Sequence, residues 1–246
     1  MFEVAIPRLR AGQRIYAVGD IHGRADLLKA LLLRIRADLR QFPVAHAELI
    51  FLGDYISRGP DSAAVLDLLI EAAPQLPLRV TYLKGNHEDT ALSFLDGDLQ
   101  MARTWLQYGG RAALTSYGMR SPSTEPPDEE LEQLRAALSK AIPANHRKFL
   151  RSLPVSAERD DYIFVHAGLR PGRALAAQTP HDVMWIREEF LTHSGCFERF
   201  VVHGHSPVVL PEVRRNRINV DTGAYASSVL TSVVLTGAER RFLATV

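Results

Sequence analysis

Residues 49–60 read Leu-Ile-Phe-Leu-Gly-Asp-Tyr-Ile-Ser-Arg-Gly-Pro, an apolar run that stops at a glycine and an aspartate. A short continuous apolar run bounded by turn residues suits a strand buried on both faces of a parallel sheet. The same construction flanks it on either side: Ala17-Val-Gly-Asp-Ile-His-Gly23 comes before and Leu83-Lys-Gly-Asn-His-Glu88 after. Between them, the spacing predicts a helix over 24–40 with Leu27, Leu28, Leu31, Leu32 and Ile35 on one face. A second helix is predicted over 62–72, with Asp61 as N-cap after Pro60, and a third from about 88. With strands at 14–18, 48–52 and 78–83, the rhythm is βαβαβ, which implies a parallel sheet with right-handed crossovers. The carboxyl ends of such strands face the ligand crevice. Asp20, His22, Asp54, Asn86 and His87 are therefore expected along one edge.

Working outward, the rhythm changes at about 97–151, where helices are predicted over 100–108, 128–141 and 144–152 around a loop, Ser-Pro-Ser-Thr-Glu-Pro-Pro, at 121–127. Strands resume at 162–165, 200–203, 217–220 and 229–235, with 241–246 as an edge strand. The helical stretch thus reads as an insertion into one domain spanning 1–246, an α/β chain whose second half is antiparallel or mixed. Two later strands end like the first three, in Phe164-Val-His-Ala-Gly168 and Val202-His-Gly-His205.

Composition narrows the partners. Hydrophobic residues make up 46% and charged residues 23%, enough apolar material for a full core. A net charge of +1 gives no global field toward nucleic acid or an anionic membrane, so neither is expected as a partner. Arg214, Arg215 and Arg217 read as a solvated loop rather than a nucleic-acid footprint. The start lacks the basic-then-apolar pattern of a signal peptide, and the apolar stretches are too short to span a bilayer. One cysteine, Cys196, permits no internal disulfide framework. The expected location is cytoplasmic.

Oxygen and imidazole donors without thiolates suit manganese, iron or zinc held for catalysis. Counting them suggests two ions: Asp20 and His22 serve the first, Asn86, His166 and His205 the second, and Asp54 bridges both. His203 is expected to support from behind, and Asp221 either to do the same or to close a turn. Glu88 and Asp89 complement the positive end of the helix they begin. His46, His146, His181 and His193 have no such neighbours and are expected at the surface. Trp105, Tyr108 and Tyr117 either pack the base of the insertion or wall the pocket.

The blocks GDIHG (19–23), GDYISRG (53–59), GNHE (85–88), HAG (166–168) and GH (204–205) occur in the order found in the phosphoprotein phosphatase branch of the calcineurin-like metallophosphoesterases. The resemblance runs from about 14 to about 236 and looks closest to compact bacterial members, which share segments like WIREEF (185–190) and NVDTGA (219–224). It implies two mixed β-sheets in a sandwich flanked by helices. It also implies two divalent metal ions, manganese first with iron or zinc as alternatives, on the six ligands above. The implied reaction is direct attack by a metal-bridging hydroxide on a phosphate monoester, with His87 as general acid and Arg58 gripping the phosphate. Arg187 is a second clamp, or pairs with Glu188 or Asp182. The implied substrate is a phosphoserine or phosphothreonine protein or peptide, with phosphotyrosine as a further option, or a small phosphate ester. One departure stands out. Ser57 occupies the place of the aspartate that orients the general-acid histidine in the family's protein phosphatases, and bacterial diadenosine tetraphosphate hydrolases lack that aspartate too. A dinucleoside polyphosphate or other nucleotide is therefore the alternative substrate, and a non-catalytic phosphate-binding module the alternative of another class, against which the intact ligand set argues.

Overall fold

The computed structural model describes residues 6–246. Its strands are β1 (Gln13–Val18), β2 (His46–Phe51), β3 (Arg79–Tyr82), β4 (Ser156–Arg159), β5 (Tyr162–Val165), β6 (Phe200–His203), β7 (Glu212–Val213), β8 (Arg217–Asn219), β9 (Thr231–Thr236) and β10 (Glu239–Ala244). They form two five-stranded sheets, in the orders β10-β9-β1-β2-β3 and β4-β5-β6-β8-β7. In the first, β1, β2 and β3 run parallel while β9 and β10 join antiparallel. In the second, β5, β6 and β8 are parallel between antiparallel edges. The helices are α1 (Ala25–Gln41), α2 (Ser62–Asp67), α3 (Asn86–Leu95), α4 (Leu99–Trp105), α5 (Arg111–Ser116), α6 (Asp128–Ala141), α7 (Ala144–Arg151), α8 (Pro180–Trp185), α9 (Glu188–Leu191) and α10 (Ala224–Ser227).

Alternation along the strands explains the layering. Ile15 and Ala17 of β1 and Val233 and Leu235 of β9 point inward, against Tyr162 and Phe164 of β5, Val202 of β6 and Ile218 of β8. Tyr16 and Val18 point the other way, onto Leu28, Leu31 and Ile35 of α1. Each of these three α1 side chains is fully buried, worth about 1.5–3 kcal/mol apiece. Trp105 and α6 complete that outer layer, while Val183, Met184 and Phe190 cover the outer face of the second sheet. The chain is a helix-flanked two-sheet sandwich, as the resemblance implied.

Local differences from the sequence reading have physical causes. Ser156–Arg159 carries almost no apolar signal, so β4 was not expected; it forms because β5 offers a free edge. The helix expected over 100–108 ends at Trp105, passes through a wide turn (Leu106–Gly110) broken by Gly109 at φ 107°, and restarts as α5. Asp61 does cap α2, accepting from the Ala64 N–H at 3.0 Å. His146 is not at the surface but 1% exposed, held between the Tyr117 hydroxyl and the Asp67 carboxylate. Among the described residues, no helix is long and apolar enough to cross a membrane.

Candidate metal centre

The ends of β1 and β2, and those of β5 and β6 across the sandwich, open at one rim of the two sheets. Asp20 and His22 follow β1, Asp54 follows β2, Asn86 and His87 open α3, His166 follows β5 and His205 follows β6. All seven are buried, none more than 7% exposed. Five separate segments thus bring the six expected ligands and His87 together.

The two oxygens of Asp54 look in different directions. Oδ2 lies 3.4 Å from His22 Nε2 and 3.8 Å from His87 Nε2, whereas Oδ1 lies 3.4 Å from His166 Nε2. His166 Nε2 is also 2.9 Å from Asn86 Oδ1 and 3.1 Å from His205 Nδ1. Asp20 stands further back, 4.0 Å from His22 Nε2, and accepts the His205 N–H. The donor atoms form two overlapping groups, His22–Asp54–His87 and Asp54–His166–His205. Geometry thus draws His87, expected as the general acid, into the first group.

Backbone carbonyls set the histidine tautomers. His22 Nδ1 donates to Ile56 at 2.9 Å and His166 Nδ1 to Leu52 at 3.0 Å, so each Nε2 carries a lone pair. His166 Nε2, Asn86 Oδ1 and Asp54 Oδ1 are then acceptors facing acceptors with no proton to share. Burial, followed by the charges of Asp221 and Asp54, pushes Asp20 well above the usual carboxylate range. Burial and the charge of Glu88 do the same to Asp54, and burial takes Asp221 up to about 6. His22 and His166 fall to about 3 through burial, which leaves them neutral, the form that binds metal. His87 Nδ1, His205 Nε2 and Asp221 Oδ2 have no hydrogen-bond partner. Converging lone pairs and mutually repelling carboxylates fit divalent cations, which supply the missing positive charge.

The backbone is bent to reach this arrangement. His22, Asp54, Ser57, Arg58 and His205 all have positive φ, five of the seven such non-glycine residues among those described. Strain of this kind persists where the surroundings enforce it. Glu88 is one enforcer: fully buried, its carboxylate accepts from the backbone N–H groups of Asp54, Tyr55, Ile56 and Gly85. Its role exceeds the helix-end complement expected, and the signal was there in a Glu three residues after the glycine that begins α3. Gly85 and Gly204 are required for a different reason: a Cβ would collide with Asp54 Oδ1 at the first and Asp20 Oδ1 at the second.

Burial lowers the proton affinity of His87, and the charges of His22, Arg58, His166 and Arg187 lower it further. Arg187 Nη1 donates to Ser206 Oγ at 3.3 Å rather than to Glu188 or Asp182, whose carboxylate pairs with Arg170 and Arg173. Asp221 closes a turn, accepting from the Gly223 N–H at 2.9 Å, and its second oxygen is buried without a hydrogen-bond partner. His203 donates to the Gly204 carbonyl at 3.0 Å and packs edge-on against Phe190. Ser57 does not turn toward His87; its Oγ accepts the Trp105 indole N–H at 2.9 Å. Tyr225, unremarked in the sequence, meets Arg58 through its hydroxyl (2.7 Å) and ring face (4.7 Å).

Residues 13–226 match the family described as calcineurin-like phosphoesterase. The chain is 25% identical over 237 residues to a bis(5'-nucleosyl)-tetraphosphatase (asymmetrical) from Oceanobacillus iheyensis, covering 89% of this chain and 87% of that one. It is 28% identical over 224 residues to serine/threonine-protein phosphatase 1 of Salmonella typhimurium, covering 89% and 90%. A crystal structure described as a candidate diadenosine tetraphosphatase shares the fold at a TM-score of 0.63 with 21% identity, over 96% of this chain and 95% of that one. The chain belongs to the calcineurin-like phosphoesterase family, hydrolases of phosphoric ester bonds.

Proposed function

We propose that this phosphoesterase cleaves a phosphoanhydride of the dinucleoside polyphosphate class, using two divalent cations held as the sequence predicts. In this reading Asp20 and His22 would hold one ion and Asn86, His166 and His205 the other, with Asp54 shared between them. Manganese is the first choice for such a thiolate-free set. When bound, the cations supply an activated water at neutral pH and neutralise charge on the phosphoryl oxygens. Arg58 and Arg187 bind phosphoryl oxygens and orient the phosphorus. His87 holds the proton destined for the leaving oxygen.

The observation that carries the substrate class is the isolation of His87. Its Nδ1 is buried with no partner, and Ser57, which stands where the family's protein phosphatases have the orienting aspartate, accepts the Trp105 indole N–H instead of meeting His87. A serine or threonine alkoxide leaves only with a proton, so it requires a firmly oriented donor. A nucleotide phosphate leaves as a stable anion and depends far less on one. The name carried by the Oceanobacillus relative agrees with this reading. A protein serine/threonine phosphatase is the second reading, favoured by the Salmonella relative. Diadenosine tetraphosphate, a phosphoserine peptide and p-nitrophenyl phosphate should be assayed side by side with Mn²⁺ and again after chelation. The expected result is a kcat/KM at least about tenfold higher on the anhydride, lost on chelation. Faster turnover of the phosphopeptide would reverse the order of the two readings.

A further inference from the structure

Trp105-Leu-Gln-Tyr-Gly-Gly110 joins α4 to α5 and is built against the loop that carries Arg58. Trp105 is 2% exposed and donates its indole N–H to Ser57. Gly109 accepts the Arg58 backbone N–H at 3.0 Å. A Cβ on Gly109 would fall 2.7 Å from Arg58 N and Cγ, and at φ 107° the position already disfavours any side chain. Gly110 lies flat beneath the Trp105 indole, with room for no Cβ.

The loop needs such support. Ser57 and Arg58 are consecutive non-glycine residues at φ 72° and 65°, a strained conformation that persists only where neighbours impose it. The contacts that impose it are the Ser62 hydroxyl on the Ser57 N–H, Trp105 on the Ser57 side chain and Gly109 on the Arg58 N–H. The guanidinium is held separately, by Tyr225.

We infer that Trp105 and Gly109 are positioning residues: the insertion turn locks the backbone of Arg58 so that its side chain meets the phosphate. The inference rests on Arg58 being the phosphate-binding arginine proposed above. The test is a double-mutant cycle in the Mn²⁺-loaded full chain, with p-nitrophenyl phosphate turnover and inhibition by inorganic phosphate as readouts and metal content measured in parallel. Gly109→Ala should lower kcat/KM about 10- to 100-fold, the scale of an ångström misplacement, and weaken phosphate inhibition while retaining metal. In an Arg58→Ala background the same change should add almost nothing, because the group it positions is gone. An undiminished loss in that background would mean a merely structural role and overturn the inference. Should Gly109→Ala fail to fold, Trp105→Phe keeps a buried ring, drops the indole N–H and carries the same cycle, with an expected loss of about 3- to 10-fold. Unchanged phosphate inhibition in Arg58→Ala alone would overturn the phosphate-binding reading first, and with it the inference.

Discussion

Strand β2 has a buried acid near each end, and the fold treats the two oppositely. Glu48, near its start, is 9% exposed; Arg159 grips it with two nitrogens at 2.7 Å and Thr81 donates at 2.7 Å. Burial alone would raise its pKa, but these partners hold it below the usual carboxylate range. Asp38, beneath the same end of the sheet, is likewise held down against burial by Arg241 and Tyr16. Asp54, just past the other end, faces carboxylates and neutral imidazoles and is pushed up. Buried charge is tolerable only when paired. One end of the sheet is complete as the chain folds; the other gathers donors and unpaired carboxylates that divalent cations would complete.

The most severe way to break this contrast is Asp54→Asn. Turnover should fall by about 10³-fold or more with loss of bound metal and an unchanged circular dichroism spectrum. A fully active variant would remove the carboxylate from its central place. His87→Asn sharpens the contrast within the centre: kcat should drop about 10²-fold on a phosphoserine peptide but less than about tenfold on diadenosine tetraphosphate, with metal retained. Lost metal would instead make His87 a ligand, which its 3.8 Å approach to Asp54 Oδ2 would permit.

The pH dependence of stability should separate the two ends. Asp20, Asp54 and Asp221 have folded pKa values above their unfolded ones, so the folded state takes up protons first and gains stability as pH falls. Buried His22, His166 and His203, held at about 3, act in the opposite sense, because the unfolded chain takes up their protons as pH falls through about 6.5. The chelated Asp54→Asn variant, which lacks one opposing carboxylate, should therefore lose more stability than the wild type between pH 7.5 and 5.5. Glu48 and Asp38 have the opposite sign: their contribution is present above the unfolded carboxylate pKa and is lost as pH falls through their lowered folded values. The melting temperature of the chelated protein should drop below pH 4 as these pairs are lost. With metal bound, stability should fall more steeply between pH 7.5 and 5.5, since protons compete with the cations. A profile unchanged by metal would contradict the assignment. Smallest in effect, Glu48→Gln should cost about 1–2 kcal/mol by thermal melt and leave kcat unaltered.

The same division decides what could be read in advance. Strand-end blocks declare themselves because each couples an apolar run, a glycine and a donor within a few residues, as in Val202-His-Gly-His205. Their convergence follows from the parallel topology, so the gathering of these side chains at one rim was largely legible. Contacts that depend on long-range packing were not. Trp105 to Ser57 spans 48 positions, and Arg58 to Tyr225 spans 167. Nothing local marks His146 as buried; only the folded chain puts Asp67 and Tyr117 on either side of it. The short strands β4 and β7 escaped for the related reason that edge pairing, not composition, creates them.

Anomalous diffraction from crystals grown with Mn²⁺ tests the central claim most directly. Two peaks are predicted, one within coordination distance of Asp54 Oδ2 near His22, the other of Oδ1 near His166 and Asn86. A single peak, or two that leave the Asp54 carboxylate uncoordinated, would contradict the account.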